Sequence, residues 1–248
     1  MIREEYANMY SLENNYWWYV ALHELVEHYV SRAQNHGPLR LFDAGCGTGR
    51  LMTILQRHGE IDGVDYSEDA IGFCRERGLR NANQGDLNLW TVPPASYDIV
   101  TCIDILCHAS IKNDLSIIQR FYDALRPGGF FILNLPAFDC IRRRHDDAVF
   151  TVRRYQKNDL REPMEKMGFE IKIMSYRLPF LFGIIGLKKI SESLDPDKTL
   201  RSDLGRLASF WNRLFLSVAR LDNWMIRNRL PVPFGSSLFL VALKPSSP

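Results

Sequence analysis

The sequence predicts an α/β fold on a largely parallel sheet, and three observations predict it. Short apolar runs alternate with helix-patterned segments through the first 176 residues. The first run stops on a glycine cluster, LFDAGCGTGR at 41–50, where a strand turns into a helix. Two late runs, 169–176 and 236–244, stand far apart, so the gap between them needs structure of its own.

Each element follows from its residues. Residues 10–19, YSLENNYWWY, place five aromatics ahead of the first strand, as a helix packing its rings on the sheet edge or as a lid over a site. LRLFDA (39–44) is a buried strand by its apolar continuity, and TGRLMTILQRHG has the apolar spacing and terminal glycine of a helix. EIDGVD (60–65) is the second strand, and Ser67 with Glu68 and Asp69 starts a helix that ends at Gly78. NANQGD holds a weak third strand and YDIVTCID (97–104) a strong fourth. DLSIIQRFYDAL (114–125) is a helix halted by Pro127, Gly128 and Gly129, and FFILNL (130–135) is the fifth strand. A helix over 156–167 closes at Gly168, FEIKIMSY (169–176) is the sixth strand and SSLFLVALK (236–244) the seventh. Between these last two, Leu204, Leu207, Trp211, Leu214, Phe215, Val218, Leu221 and Met225 recur at helical spacing, with Arg206, Arg213, Arg220 and Arg227 elsewhere around the axis. The expectation is a single domain over 1–248. Its parts are an amino-terminal lid segment (1–36), a core (37–176 and 236–244) and a helical insertion (177–235).

Composition bounds the function. The 248 residues are 46% hydrophobic and 24% charged, enough for a sizeable core. No apolar run is long enough to span a bilayer, and MIREEYANMYSLE lacks the basic-then-apolar order of a secretory signal, so a cytoplasmic protein is expected. The five cysteines are odd in number and form no CxxC pair, which points to neither a disulfide framework nor a metal site. The net charge of +2 hides an asymmetry, because residues 1–140 hold 11 Lys and Arg against 18 Asp and Glu, while 141–248 hold 20 against 11. A near-neutral total with no recognition motif argues against nucleic acid. The apolar LPFLFGIIGL (178–187) beside the basic helix suggests oligomer packing or peripheral membrane contact through 178–229.

The glycine loop by itself reads equally as a plain turn or as a nucleotide site, since ligands of parallel sheets bind beyond the carboxyl ends of the strands, and the acids that follow favour the site. A dinucleotide fingerprint requires a glycine at position 50, and position 50 is Arg50. Asp65 ends the second strand where a carboxylate accepts both hydroxyls of a ribose, and Asp86 follows the third, where an adenine amino group donates to it and Tyr66 and Leu87 cover the ring. With Asp43 and Asp104, four carboxylates border one crevice and no lysine waits for a phosphate. The ligand expected is a nucleoside carrying positive groups.

These residues carry a family resemblance. DAGCGTG with its preceding strand, GVDYS, GDL, YDIVTCIDILCH and LRPGGFFILNLPA stand in the order and spacing of class I S-adenosylmethionine-dependent methyltransferases across residues 39–137. The resemblance implies a Rossmann-like methyltransferase fold, a seven-stranded sheet with the last strand antiparallel, and S-adenosyl-L-methionine as cofactor with S-adenosyl-L-homocysteine as product. It also implies that Asp43 lies near the methionine amino group and that Gly45, Cys46, Gly47 and Gly49 pass under the ligand. By the same resemblance Asp65 binds the ribose, Asp86 with Leu87 frames the adenine, and Ile103, Asp104 and His108 line the methionine end. Members close to this pattern often carry an acid before that histidine, where this chain has Cys107. Related bacterial enzymes often begin with a comparable Glu and double-Trp segment, which implies that it closes over the cofactor, and Trp18 is a candidate on the acceptor side.

On that side, HDDAVFTVRRY (145–155) resembles the histidine-bearing loop of many class I members. His145 is the candidate base or acceptor-positioning group, Arg153, Arg154 and Tyr155 are candidate anchors for an anionic or hydroxylated acceptor, and Tyr155 is also a candidate catalytic residue. The reaction expected is methyl transfer to oxygen of a small, anionic, glycan or lipid-linked acceptor. Two alternatives stay open, a nucleoside-binding scaffold without chemistry and a nicotinamide oxidoreductase.

Overall fold

The computed structural model describes residues 3–33, 37–194 and 207–246 and lays seven strands in one sheet. In chain order they are β1 (Leu39–Ala44), β2 (Gly59–Asp65), β3 (Ala82–Gln84), β4 (Tyr97–Ile103), β5 (Leu125–Pro136), β6 (Glu170–Arg177) and β7 (Ser237–Leu243). Across the sheet the order is 3-2-1-4-5-7-6. The pairs from β3 to β5 are parallel, and β7 runs antiparallel to both β5 and β6. The expected seven strands with an antiparallel last strand are what the chain forms. Chain order reverses between β1 and β4, and that switch point opens a crevice at their carboxyl ends.

Nine helices are described. They are α1 (Arg3–Leu12), α2 (Trp17–Ala33), α3 (Arg50–Leu55), α4 (Glu68–Glu76), α5 (Asp114–Ala124), α6 (Arg144–Ala148), α7 (Lys157–Lys166), α8 (Pro179–Leu194) and α9 (Ser209–Arg227). Helix α2 lies on the sheet because Leu22, Leu25, Val26 and Val30 share one face at helical spacing and are fully buried. Each such side chain contributes roughly 1.5–3 kcal/mol by leaving water. The strands at the sheet centre are apolar on both faces, as in Ile99, Val100 and Cys102 of β4 and Phe131, Ile132 and Leu133 of β5. Helix starts follow their caps, with Ser67 accepting from the Ala70 amide at 3.4 Å and Asn113 from the Ser116 amide at 3.0 Å.

Some sequence expectations shift. Helix α5 stops at Ala124, and the LRPGG stretch read as a stop is the start of β5, because Leu125 takes an extended backbone and pairs with Tyr97 before a register shift. The segment after β5, read as loop, contains the single turn α6. Within the long basic helix, Leu204 and Arg206 lie outside the described residues. Its inward face takes only part of the apolar stripe of the sequence, since Ala219, Asp222, Asn223 and Ile226 are buried and Phe215 and Met225 pack inward, while Leu207, Trp211, Leu214 and Leu221 are exposed. Polar bonds hold that face, with Asn223 Nδ2 donating to the Ala21 carbonyl at 2.7 Å and Asp222 accepting from the Leu178 amide at 3.0 Å. Among the described residues, no helix is long and apolar enough to cross a membrane.

Candidate functional site

The site is built on the turn between β1 and α3. Gly45 and Cys46 donate their amides to the Val64 carbonyl at 2.8 and 3.0 Å, which ties the loop to the end of β2. Gly45 has φ of 77°, and a Cβ there would lie 2.7 Å from Ile105 Cγ1, so side-chain-free backbone is needed on two counts. Asp65, at the carboxyl end of β2, holds the next residue, with one oxygen accepting from the Gly47 amide and the other from the Ser67 amide, both at 2.9 Å. Burial raises the Asp65 pKa against the lowering effect of those bonds.

Two more carboxylates sit at the ends of β1 and β4. Asp43 is buried and accepts from Thr101 Oγ1 at 2.6 Å, and burial pushes its pKa up to about 7. Asp104 is likewise pushed up to about 7 by burial, while its bond from Asn134 Nδ2 at 3.0 Å and the charges of Arg177 and Arg154 pull the other way. Its φ of 53° is a strained value for a residue with a side chain, and the Asp104 amide is held by the Asn134 carbonyl at 2.8 Å. The strain turns the residue out of the strand at the switch point. Ile103 is half-buried just before it.

Asp86 has a different setting. Its Oδ1 caps the turn after β3, accepting from the Asn88 amide at 2.9 Å and Asn88 Nδ2 at 2.6 Å. Leu87 is buried beneath it, and Tyr66 is 67% exposed, which leaves its ring free to move.

Helix α1 covers the glycine loop. Tyr6 donates its hydroxyl to Asp65 Oδ1 at 3.4 Å, and a Cβ on Gly47 would lie 3.1 Å from Met9 Cε. Tyr10 stacks on Phe73 with centroids 4.7 Å apart and lies under the Arg77 guanidinium. Glu13, just after α1, accepts from Thr48 Oγ1 of the loop and pairs with Arg77 at 2.6 Å. Arg77 in turn donates to the Thr48 carbonyl at 2.8 Å, so its charge is spent on Glu13 and the loop backbone. Glu13 belongs to the Glu and double-Trp segment, whereas Tyr6 and Met9 carry no sequence signal, because each is an ordinary amphipathic-helix residue until the helix docks. The aromatic cluster that was singled out divides, with Trp17 buried against Phe180 and Phe215 and Trp18 half-buried edge-on to Tyr19.

The acceptor side forms where two segments meet. His108 bridges Thr151 in antiparallel fashion, the Val152 amide donates to the Cys107 carbonyl at 2.9 Å, and the Phe150 ring lies 5.8 Å from the imidazole. The 145–155 segment is thereby clamped to the chain leaving β4. His108 Nδ1 accepts from the Ser110 amide at 3.2 Å, which places the proton of the neutral ring on Nε2, and burial lowers its pKa. His145 sits half-buried in α6.

The other residues of that segment have structural partners. Arg154 is buried in an ion pair with Asp146 at 2.7 Å and donates to the Ala137 carbonyl at 2.8 Å. Tyr155 is buried, donates to Asp114 Oδ2 at 2.7 Å, and lies 3.1 Å from the Leu106 carbonyl. Burial raises its pKa further above the ordinary tyrosine value, which keeps the proton on the phenol. Both were read as acceptor-side groups, yet their polar atoms are committed to holding this loop. Arg153 is one-third exposed, donating to the Ile111 carbonyl at 3.0 Å and lying 3.4 Å from Asp114.

A residue the sequence did not flag stands behind Asp104. Arg177, at the end of β6, is fully buried, with Asn134 Oδ1 at 3.4 Å and Asn223 Oδ1 at 3.5 Å. Burial lowers its pKa to about 10, opposed by the Asp222 and Asp104 carboxylates. One chain of polar groups therefore runs from α9 through Arg177 and Asn134 to Asp104. Among the described residues, no group of three or more His, Cys, Asp or Glu is placed to hold a metal ion.

Comparisons with known proteins agree with this frame. Residues 41–129 match the family described as a methyltransferase domain. The ubiquinone biosynthesis O-methyltransferase of Idiomarina loihiensis is 28% identical over 142 residues, 51% of this chain and 57% of that one. The chain spans about half the length of the curated relatives it matches. Among solved structures, a SAM-dependent methyltransferase from Thermotoga maritima superposes with a TM-score of 0.60 at 16% identity, covering 97% of this chain and 95% of that one. A phosphoethanolamine N-methyltransferase 2 from Haemonchus contortus, solved with S-adenosyl-L-methionine, gives a TM-score of 0.55 at 17% identity over 90% of this chain and 52% of that one. The class I methyltransferase resemblance read from the sequence is borne out in domain and in fold.

Proposed function

We propose that this chain, with a methyltransferase domain at residues 41–129 on a class I fold, transfers the methyl group of S-adenosyl-L-methionine to an oxygen of a small hydroxylated acceptor. The observation that carries the reading is the placement of Asp65. It holds the glycine loop through the Gly47 amide and ends the strand beside that loop, where a ribose diol meets a carboxylate. The acids at the strand ends, Asp43 and Asp65 buried and Asp104 half-buried, support a cationic nucleoside over a pyrophosphate. Asp43 and Asp104 lie at the neighbouring strand ends, and Arg77 is already neutralised by Glu13.

The residues fit this cofactor in a definite way. Gly45, Cys46, Gly47 and Gly49 supply close-lying backbone, Asp65 takes the ribose, and Leu87 with Tyr66 and Asp86 takes the adenine. Asp43, Ile103 and Asp104 surround the methionine end. When bound, the cofactor supplies an electrophilic methyl on a sulfonium. Transfer of that methyl to the acceptor oxygen would break its bond to sulfur, and the acceptor's proton would then need a base. His108, with its proton on Nε2, donates a hydrogen bond there and orients the acceptor. The proton goes to His145, the candidate base on the same clamped segment. Arg153 at the edge of this segment meets an anionic or hydroxyl group of the acceptor, while Arg154 and Tyr155 keep the segment in place and Trp18 bounds the acceptor from the α2 side.

The Idiomarina relative's name specifies ubiquinone biosynthesis, which favours a hydroxylated ring of that kind over a glycan as acceptor. The tests are calorimetric titration with S-adenosyl-L-homocysteine and with NAD(H), then transfer of labelled methyl to a panel of hydroxylated rings, lipid-linked and glycan acceptors. Affinity for S-adenosyl-L-homocysteine and label on a ring hydroxyl are expected. Affinity for NAD(H) alone sinks the cofactor assignment, and cofactor binding with no labelled product across the panel and cell extract favours a scaffold.

A further inference from the structure

The face of α9 that points away from the body does not belong to the core. Phe210, Trp211, Leu214, Leu221 and Trp224 are 69%, 51%, 41%, 58% and 54% exposed; Phe210, Leu214, Leu221 and Trp224 share the side of the helix opposite buried Ala219, Asn223 and Ile226, and Trp211 lies at its flank with its ring 6.1 Å from Phe215. Single exposed apolar side chains are ordinary on a protein surface. Five large ones along about four turns of one helix are not. The helix is not loosely attached, because Asn223 Nδ2 bonds the Ala21 carbonyl at 2.7 Å and Arg220 pairs with Glu24 at 2.6 Å. Other aromatics near the helix pack among themselves, Phe180 and Phe215 on its inner side against buried Trp17. Phe234 is 45% exposed and its ring meets Phe182 of α8 at 5.6 Å, while Phe180 of α8 stacks on Phe215 of α9.

Charge decides what covers this face. Arg213, Arg220 and Arg227 recur every two turns along one flank, and Arg229 follows the helix. The single acid of α9, Asp222, is buried on the inner side. Glu24 offsets Arg220, and the remaining arginines are in excess. A second copy packed on this stripe would bring its own arginines against these and offer no acid from α9 to meet them. An anionic surface with an apolar interior answers both features, because the side chains of Phe and Leu enter the acyl boundary, the two Trp rings sit at its polar edge, and arginine heads reach the phosphates.

We propose that α9 lies in the plane of an anionic lipid surface and docks this protein on it through Phe210, Trp211, Leu214, Leu221 and Trp224. This surface is independent of the methyl-transfer reading, since it shares no residue with the glycine loop or with the 145–155 segment.

The experiment is flotation of the full chain with vesicles of phosphatidylcholine alone and of phosphatidylcholine with phosphatidylglycerol, for the wild type, Trp211→Ala/Trp224→Ala, and Arg213→Glu. Binding to the anionic vesicles is expected, weakened by raised salt and by Arg213→Glu, and reduced about tenfold or more in partition coefficient by the double variant. Circular dichroism and melting temperature should be unchanged, because every substituted side chain faces solvent. Titration with S-adenosyl-L-homocysteine, run in parallel, reports on the methyl-transfer reading separately. Equal flotation of wild type and double variant, or no flotation of the wild type, overturns the proposal. A concentration-dependent dimer in sedimentation velocity that the double variant abolishes assigns the face to a second copy and also overturns it.

Discussion

Replacing Asp65 by alanine removes a carboxylate that holds the glycine loop and, in the proposed function, binds a ribose. In the folded protein its oxygens accept from Gly47, Ser67 and Tyr6, at 2.9, 2.9 and 3.4 Å. The two backbone amides lose charged acceptors, which costs roughly 1–3 kcal/mol for a buried donor left unpaired, so the melting temperature should fall. A ribose diol bound to Asp65 adds hydrogen bonds of about 1.5–3 kcal/mol each to a charged group. Part of that gain is offset, because Tyr6 must first give up its own bond to the carboxylate. The net loss expected for Asp65→Ala is about 1–3 kcal/mol, or roughly 5- to 150-fold in the dissociation constant of S-adenosyl-L-homocysteine. Tyr6→Phe removes the competitor and leaves both amide bonds in place. It should tighten binding by about two- to threefold, the worth of a long neutral hydrogen bond, with little change in stability. Calorimetry on the two variants and the wild type reads both numbers. Unchanged affinity in Asp65→Ala would falsify the ribose assignment, and weaker binding in Tyr6→Phe would show that α1 helps the cofactor instead of competing with it.

Cofactor affinity should depend on pH through Asp43 and Asp104, whose pKa values burial raises from 3.8 to about 7. A cationic ligand needs them ionised, so binding releases protons below pH 7 and affinity should rise by up to about tenfold per pH unit for each group between pH 5 and 7, then level off. The same groups act oppositely on the empty protein. Raised folded-state values favour the folded form at low pH, and that contribution is lost as pH rises from about 4 towards 7, so chemical denaturation in the absence of ligand should show stability falling over that window. Arg177→Ala should cost about 3–5 kcal/mol by leaving Asp222 and Asp104 without their buried countercharge, measured by urea denaturation, and an undiminished midpoint would remove Arg177 from the network. His145→Ala should lower turnover about 10²-fold or more with cofactor affinity intact, whereas His108→Ala should raise the KM for the acceptor more than it lowers kcat. Equal effects of the two histidines on KM would contradict the division between base and orienting group.

Much of the fold and the cofactor side was legible in the sequence because both rest on local signals. Apolar runs of strand length, helix-start residues such as Ser67 and Asn113, and glycines whose spacing is set by backbone geometry all act within a few residues of one another. A carboxylate at the end of a strand is placed by the strand itself, which is why Asp43, Asp65 and Asp104 were found. The acceptor side was less legible, because its roles depend on which distant group reaches a side chain first. Arg154 and Tyr155 look like substrate anchors until Asp146 and Asp114 take them, and Arg177 looks like an edge residue until the helix carrying Asp222 and Asn223 closes over it. The same holds for α9. Its periodicity was plain in the sequence, but periodicity names an apolar face without saying which way it turns. Contacts with Ala21 and Leu178 turned Asp222 and Asn223 inward beside Phe215 and left Phe210, Leu214, Leu221 and Trp224 to solvent. By itself, then, the sequence determined the sheet, the glycine loop and the acids around it, because nearest-neighbour backbone physics suffices for them. Only the tertiary structure decided that α1 lies over the loop, that the basic segment spends its charges on itself, and that α9 shows its tryptophans outward. Those outcomes depend on pairings between residues as far apart as 6 and 65 or 21 and 223, which no local pattern encodes.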